Sequence, residues 1–164
     1  MKKPRILSLY DPLTGLANRR QMDSILEKSA QEYKTFKKSY SLIMGDIDHF
    51  KEYNDTKGHE GGDKLLMDIA GIIKAELRSV DTVTRYGGEE FLVILPDISE
   101  KGALNAAERI RSAVQEKTEV TISLGVASSS EVDNIDDLVG MADKALYFVK
   151  NNGRNAVKGY ADIK

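Results

Sequence analysis

At 164 residues, 41% of them hydrophobic and 30% charged, the chain is long enough for one globular domain with a buried core. The absence of Cys excludes disulfides, iron–sulfur clusters, cysteine nucleophiles and Cys-based zinc sites, and two His, His49 and His59, leave little for an imidazole metal centre. Lys and Arg number 24 against 26 Asp and Glu, a net charge of −2, so no global basic charge recruits nucleic acid or a membrane surface.

The basic start Met1-Lys2-Lys3-Pro4-Arg5 leads into a short apolar run broken at Ser8. A secretory signal needs roughly 7–15 apolar residues and a membrane span ~18, and no window supplies either. A cytoplasmic location is expected, with the cytoplasmic part of a membrane-anchored protein as the alternative.

Along the chain, apolar Met22, Ile25, Leu26, Ala30, Tyr33 and Phe36 recur at helical spacing, predicting a helix over 21–37 with Asn18 as its N-cap. Residues 39–44 form an apolar run that reads as a buried strand and ends in Gly45-Asp46-Ile47-Asp48. A short helix is expected around 50–54, a loop at Gly58-His59-Glu60-Gly61-Gly62, and a strongly periodic helix over 63–77. Residues 82–86 and 91–95 are β-rich runs around Gly87-Gly88-Glu89-Glu90, which predicts a hairpin whose glycines take positive φ. Ser99 opens a helix to about 117, residues 119–127 alternate as a strand, and 130–134 is a polar loop. A helix over 135–150 and a last strand at 156–160 complete the order.

Helices are interleaved with strands, but the hairpin forces at least one antiparallel pair. The expected class is α+β: a mixed, mainly antiparallel sheet flanked by helices, close to the ferredoxin-like arrangement rather than a doubly wound parallel one.

Neither G-x-x-x-x-G-K-[ST] nor G-x-G-x-x-G occurs, and G-x-S-x-G and H-E-x-x-H are missing too. The chemistry is acidic instead. Asp46 and Asp48 stand at a strand exit: either Asp48 caps the next helix and Asp46 merely ends the strand, or the two carboxylates hold a hard divalent cation. Glu89 and Glu90 are poor turn residues followed by the apolar run from Phe91 to Leu95. If the two strands are neighbours, Asp46 and Glu89 converge on one ion, the arrangement that neutralises a reacting phosphate. Lys51, Lys150 and Arg154 are each ordinary surface cations alone, but beside an acidic metal site they suit a triphosphate.

Asp11-Pro-Leu-Thr-Gly-Leu-Ala-Asn-Arg-Arg20, Asp46-Ile-Asp-His-Phe-Lys51, Asn54-Asp55, Gly58-His59, Gly62-Asp63, Arg85-Tyr-Gly-Gly-Glu-Glu-Phe91 and Gly153-Arg-Asn155 together resemble the GGDEF domain of bacterial diguanylate cyclases. The likeness runs from about Asp11 to Tyr160, in the family's order. It implies a core like those of nucleotide cyclases and polymerase palm domains, with residues 1–10 as a lead-in, 11–160 as the domain and 161–164 as a tail. It also implies condensation of two GTP into cyclic di-GMP with release of two pyrophosphates. By the same likeness Asp46, Glu89 and the carbonyl of Ile47 hold magnesium, with manganese as the alternative, and Asn54 and Asp63 read guanine. Lys51, Lys150, Arg154 and the amides near His49 and Phe50 contact phosphate, and Glu90 is a further metal ligand or the base for the 3′-hydroxyl. The motif reads Gly-Gly-Glu-Glu-Phe, a form that keeps the family's carboxylate. A carboxylate at Asp63 accepts from guanine N1–H and its amine, which adenine cannot match; the alternative for Asp63 is a helix N-terminal acid favoured by the dipole.

Arg78-Ser79-Val80-Asp81 falls where the family carries its product-inhibition site, with Arg85 as a third contact. The symmetric product implies a homodimer with one GTP per half-site, and an N-terminal sensor or dimerisation domain in the full-length protein. Neither nucleic acid nor membrane contact is expected of this domain. Two rivals are weaker. A non-catalytic binder of GTP or cyclic di-GMP would lack Asp46, Glu89 or Asp63, and a receiver-type phosphoacceptor would lack the hairpin. A relaxed purine cyclase is disfavoured by Asp63.

Overall fold

A computed structural model describes residues 8–163, so the first seven residues of the expected lead-in and the last residue of the tail lie outside it. Tyr40–Ile47 is buried at every position and forms the central strand, β1. It is longer than the expected 39–44 run because Gly45 and Asp46 continue the ladder on both sides, opposite Phe91 and Glu90 and opposite Leu124 and Ser123. With β2 (Thr82–Arg85), β3 (Glu90–Pro96), β4 (Ile122–Ser128) and β5 (Val157–Gly159) it makes a five-stranded sheet in the order β2-β3-β1-β4-β5. Every pairing is antiparallel except β4 with β5, which is parallel. The expected α+β class with a mainly antiparallel sheet is what the chain adopts.

Period-2 alternation divides the core between the two faces. Ile43, Phe91, Val93, Leu124 and Val126 pack on one face under α2 (Phe50–Ala75) and α3 (Glu100–Lys117). Leu42, Met44, Leu92 and Ile94 pack on the other, under α1 (Arg19–Phe36) and α4 (Leu138–Lys150). Two N-caps stand where the sequence puts them: Asn18 accepts from the Gln21 amide and Ser99 from the Gly102 amide. At Gly125 the backbone of α4 lies so close that a Cβ would sit 2.2 Å from Leu146 N and 2.3 Å from Ala142 O. This contact seats the helix carrying Lys150 directly on β4.

Two local expectations are corrected. The stretch 58–62 is no loop. Helix runs through it, and only Gly58, at φ 76° and ψ 171°, leaves helical geometry, bending α2 in place. One residue without a Cβ suffices to turn the chain there. The hairpin glycines do not take positive φ either; among described glycines only Gly15, Gly58 and Gly153 do. The turn is closed instead by the amides of Tyr86 and Gly87, both donating to the Glu90 carbonyl at 2.8 and 3.2 Å. At Gly87 a Cβ would meet Glu90 Oε1 at 2.9 Å, so a side chain there would shift the Glu90 carboxylate. Among the described residues no helix is long and apolar enough to cross a membrane.

Candidate active site

The open end of the sheet is acidic. Asp46, the penultimate residue of β1 and only 6% exposed, is the cross-strand partner of Glu90, so both carboxylates rise from the α1/α4 face. Glu89 is drawn in beside them by its own carbonyl, which accepts from the Ile47 amide at 3.3 Å. Burial pushes the Asp46 carboxyl above the usual range; Lys150 pulls it back through a hydrogen bond and its charge, while the Asp48 charge adds to the rise. Burial and then repulsion from Asp46 raise Glu89 and Glu90 as well. Three carboxyls pushed up together, with an ammonium seated on one of them, form a site short of positive charge. Among the described residues no three acidic or imidazole side chains form a ready-made metal cage. Two carboxylates and a carbonyl instead suit a hard cation whose shell is completed by phosphate oxygens and water.

A cleft of about 180 Å³ is lined by Asp46, Ile47, Asp48, His49, Phe50, Lys51, Glu52, Glu89, Lys150 and Arg154. The turn into α2 is made by His49 in left-handed conformation (φ 56°), and no side chain caps the helix. Its first amides therefore face the cleft as donors for an anion. Lys150 arrives on the last turn of α4, and Arg154 on the turn that follows. A second hollow, of about 310 Å³, adjoins the first, with Phe50 and Glu89 bordering both, and is lined also by Asn54, Asp63, Arg85 and Glu90. Asn54 Oδ1 is buried there without a hydrogen-bond partner. It fills the space a Gly62 side chain would need, 1.6 Å from where a Cβ would stand. Asp63 is exposed and lies five residues past the break at Gly58, just beyond the first turn of the helical segment that restarts there.

The model of the diguanylate cyclase GGDEF domain matches residues 8–156. The chain belongs to the GGDEF domain family. It is 48% identical over 130 residues to diguanylate cyclase A of Treponema denticola, covering 74% of this chain and 35% of that protein. It is 42% identical over 166 residues to the response regulator PleD of Caulobacter vibrioides, covering 94% and 37%. The solved GGDEF domain of DgcB from Caulobacter crescentus, in complex with c-di-GMP, superposes with a TM-score of 0.89 at 32% identity, covering 98% of this chain and 97% of that one. The chain thus spans about a third of the length of these two curated relatives.

This GGDEF domain places Arg78 and Asp81 outside the acidic end. They border a separate cavity of about 450 Å³ with Tyr10, Leu16, Gln21 and Lys74. Arg78 is bidentate to the Asp81 carboxylate and also donates to the Pro96 carbonyl at 2.7 Å. Arg85 is not brought to that pair. Its guanidinium bonds Asp11 at 3.3 Å and the Gly88 carbonyl at 3.0 Å, at the other end of β2. Asp11 also accepts from the amide and hydroxyl of Thr14. Burial alone would raise the Asp11 carboxyl, but the Thr14 hydrogen bonds and the Arg85 charge outweigh it and hold it below the usual range. This tether of hairpin tip to the Asp11 turn escaped the sequence reading; the Asp11-x-x-Thr14 spacing was its one signal. Asp48 neither caps α2 nor stands free for a cation. Its carboxylate is occupied by Thr121, Ser123 and the Asn155 amide.

Proposed function

We propose that this domain is a diguanylate cyclase that condenses two GTP into cyclic di-GMP with release of two pyrophosphates. The observation that carries the reading is the pair of adjoining hollows, one combining acids with cations and the other offering unpaired acceptors. A triphosphate and a base of one nucleotide suit the two compartments. Lys51, Lys150, Arg154 and the first amides of α2 bind the phosphates. Asn54 Oδ1 and the Asp63 carboxylate accept from guanine N1–H and the exocyclic amine; adenine would leave them unpaired.

Asp46, Glu89 and the Ile47 carbonyl would hold a divalent cation, with magnesium the expected ion and manganese the alternative. Such an ion supplies charge neutralisation at the phosphate that is attacked. When the nucleotide and ion arrive, Lys150 exchanges the Asp46 carboxylate for phosphate oxygens. Glu90, raised in pKa and cross-strand from Asp46, accepts the proton of the attacking 3′-hydroxyl. One domain holds one GTP, so two copies must face each other across a two-fold axis, each 3′-hydroxyl attacking the α-phosphorus of the other nucleotide. Arg78 and Asp81 are the proposed contacts for product acting as inhibitor. The length of the relatives supports a sensor or dimerisation domain in the full protein; the proposed location of this domain is the cytoplasm.

The test is incubation of concentrated protein with GTP and magnesium, followed by chromatography for the cyclic dinucleotide. Glu89→Ala should abolish turnover while leaving the protein folded. Absence of product from the unaltered chain at any concentration would overturn the reading.

A further inference from the structure

Asp48 is 4% exposed, sits two residues beyond Asp46 and borders the same cleft, yet both of its carboxylate oxygens are engaged by the protein itself. Oδ1 accepts from the Ser123 hydroxyl at 2.7 Å. Oδ2 accepts from the Thr121 hydroxyl at 2.7 Å and from the backbone amide of Asn155 at 3.1 Å. Ser123 Oγ accepts from that same Asn155 amide at 3.1 Å, so one N–H is shared between two oxygens that are themselves hydrogen-bonded. The backbone amide of Asp48 donates to the Thr121 carbonyl at 2.9 Å. The exit of β1, the entry of β4 and the turn after α4 are thus fastened at one carboxylate.

What that carboxylate fastens is a costly piece of backbone. Gly153, Arg154 and Asn155 have φ of 102°, 61° and 48°, three left-handed residues in succession, two of them with side chains. Such a conformation persists only where its surroundings over-determine it. Two struts do so. Asp48 holds the Asn155 amide from the sheet side, and Arg111 on α3 donates to Asn155 Oδ1 at 2.9 Å from the other. Arg111 is itself held against Glu108 at 2.6 Å. Immediately before the residue so held stands Arg154, which lines the cleft.

We infer that Asp48 is a positioning residue: by holding the Asn155 amide it fixes the left-handed turn that aims Arg154 at the nucleotide's phosphates, and it takes no part in holding the cation. The inference rests on the nucleotide-binding reading given above. An arginine delivered on a strained turn binds phosphate well only if the turn is already set before the ligand arrives. Loss of the anchor therefore lowers affinity for the phosphates and leaves the distant base contacts untouched.

The experiment is a double-mutant cycle read by calorimetric titration with the α,β-methylene analogue of GTP and, separately, with guanosine. Asp48→Ala should weaken the triphosphate analogue roughly tenfold, as Arg154→Ala does, because each removes one charge-assisted phosphate contact. The double variant should be no weaker than Arg154→Ala alone. Guanosine binding should be unchanged. Hydrogen exchange at the Asn155 amide should be faster in Asp48→Ala. Asp48→Asn should recover most of the affinity, because its amide oxygen still accepts from Asn155 while its NH₂ donates to Thr121 or Ser123 Oγ. Should Asp48→Ala fail to fold, Asp48→Ser, whose shorter side chain does not reach the Asn155 amide, takes its place in the cycle, with the same expected outcome. Additive losses, or equal loss of guanosine, would overturn the positioning role. If the unaltered protein binds neither ligand, the nucleotide reading itself falls; if it binds both and the cycle is additive, only the role of Asp48 falls.

Discussion

Gly62 shows how closely a binding hollow can be drawn by what a residue lacks. Asn54 Oδ1 occupies the space where a Cβ would stand, so Gly62→Ala must push the amide out of the hollow. Overpacking of this kind typically costs about 1–3 kcal/mol, so GTP binding is expected to weaken roughly tenfold or more while circular dichroism stays native. Titration calorimetry on the purified variant decides it; unchanged affinity would remove Asn54 from base recognition. Asp63→Ser should lower the ratio of kcat/KM for GTP over ATP by at least about tenfold, since the hydroxyl is a weaker acceptor and can also donate. At this scale the sequence was readable wherever chemistry is carried by residue type: carboxylates, cations and amides stood out by identity and order. Asp48 was not readable. Its neighbours in space are Thr121, Ser123 and Asn155, far along the chain, and no spacing rule links an acid to a hydroxyl on another strand.

Among the elements, α4 is the one whose seat can be displaced by a single methyl group. Gly125→Ala would drive a Cβ into the backbone of Ala142, Ala145 and Leu146, where no side chain can move aside. A loss of about 3 kcal/mol is expected, at the upper end of overpacking, visible as a lower denaturant midpoint with an unchanged slope. Because α4 also delivers Lys150, activity should fall further than the unfolded fraction accounts for. The helices and strands and their succession were legible from periodicity, but the strand order was not, because the pairing of β1 with both β3 and β4 joins segments far apart in the chain. The continuity of α2 was not legible either. Four residues of Gly58-His59-Glu60-Gly61-Gly62 are helical although two of them are glycines, because Leu65, Leu66 and Ile69 anchor the segment in the core.

For the whole molecule, the raised carboxyls set the dependence of stability on pH. A group whose pKa is higher in the folded state binds protons more readily there, so stability is present below the unfolded value and is lost as pH rises through the folded one. Asp46, Glu89 and Glu90 rise from 3.8, 4.5 and 4.5, so they make the nucleotide-free protein less stable as pH climbs above about 4. Melting curves across this range should show Glu89→Gln flattening that decline, and added magnesium should raise Tm more at neutral pH than at acid pH. Asp11 and Glu108, lowered in pKa, act in the opposite sense and remain in both proteins. Turnover should rise with the square of protein concentration while most copies are unpaired, because two half-loaded clefts must meet. Strict proportionality to concentration in that range would exclude reaction between copies.

The bend at Gly58 reaches further than the corner it makes. Nine residues apart on a straight helix, Asn54 and Asp63 would stand roughly 13 Å from each other and on opposite sides of the cylinder. Because the axis changes direction between them, both border one hollow instead. Under the proposed function, discrimination between purines is therefore written partly into the path of the main chain, and straightening that corner would remove base recognition even with Asn54 and Asp63 intact.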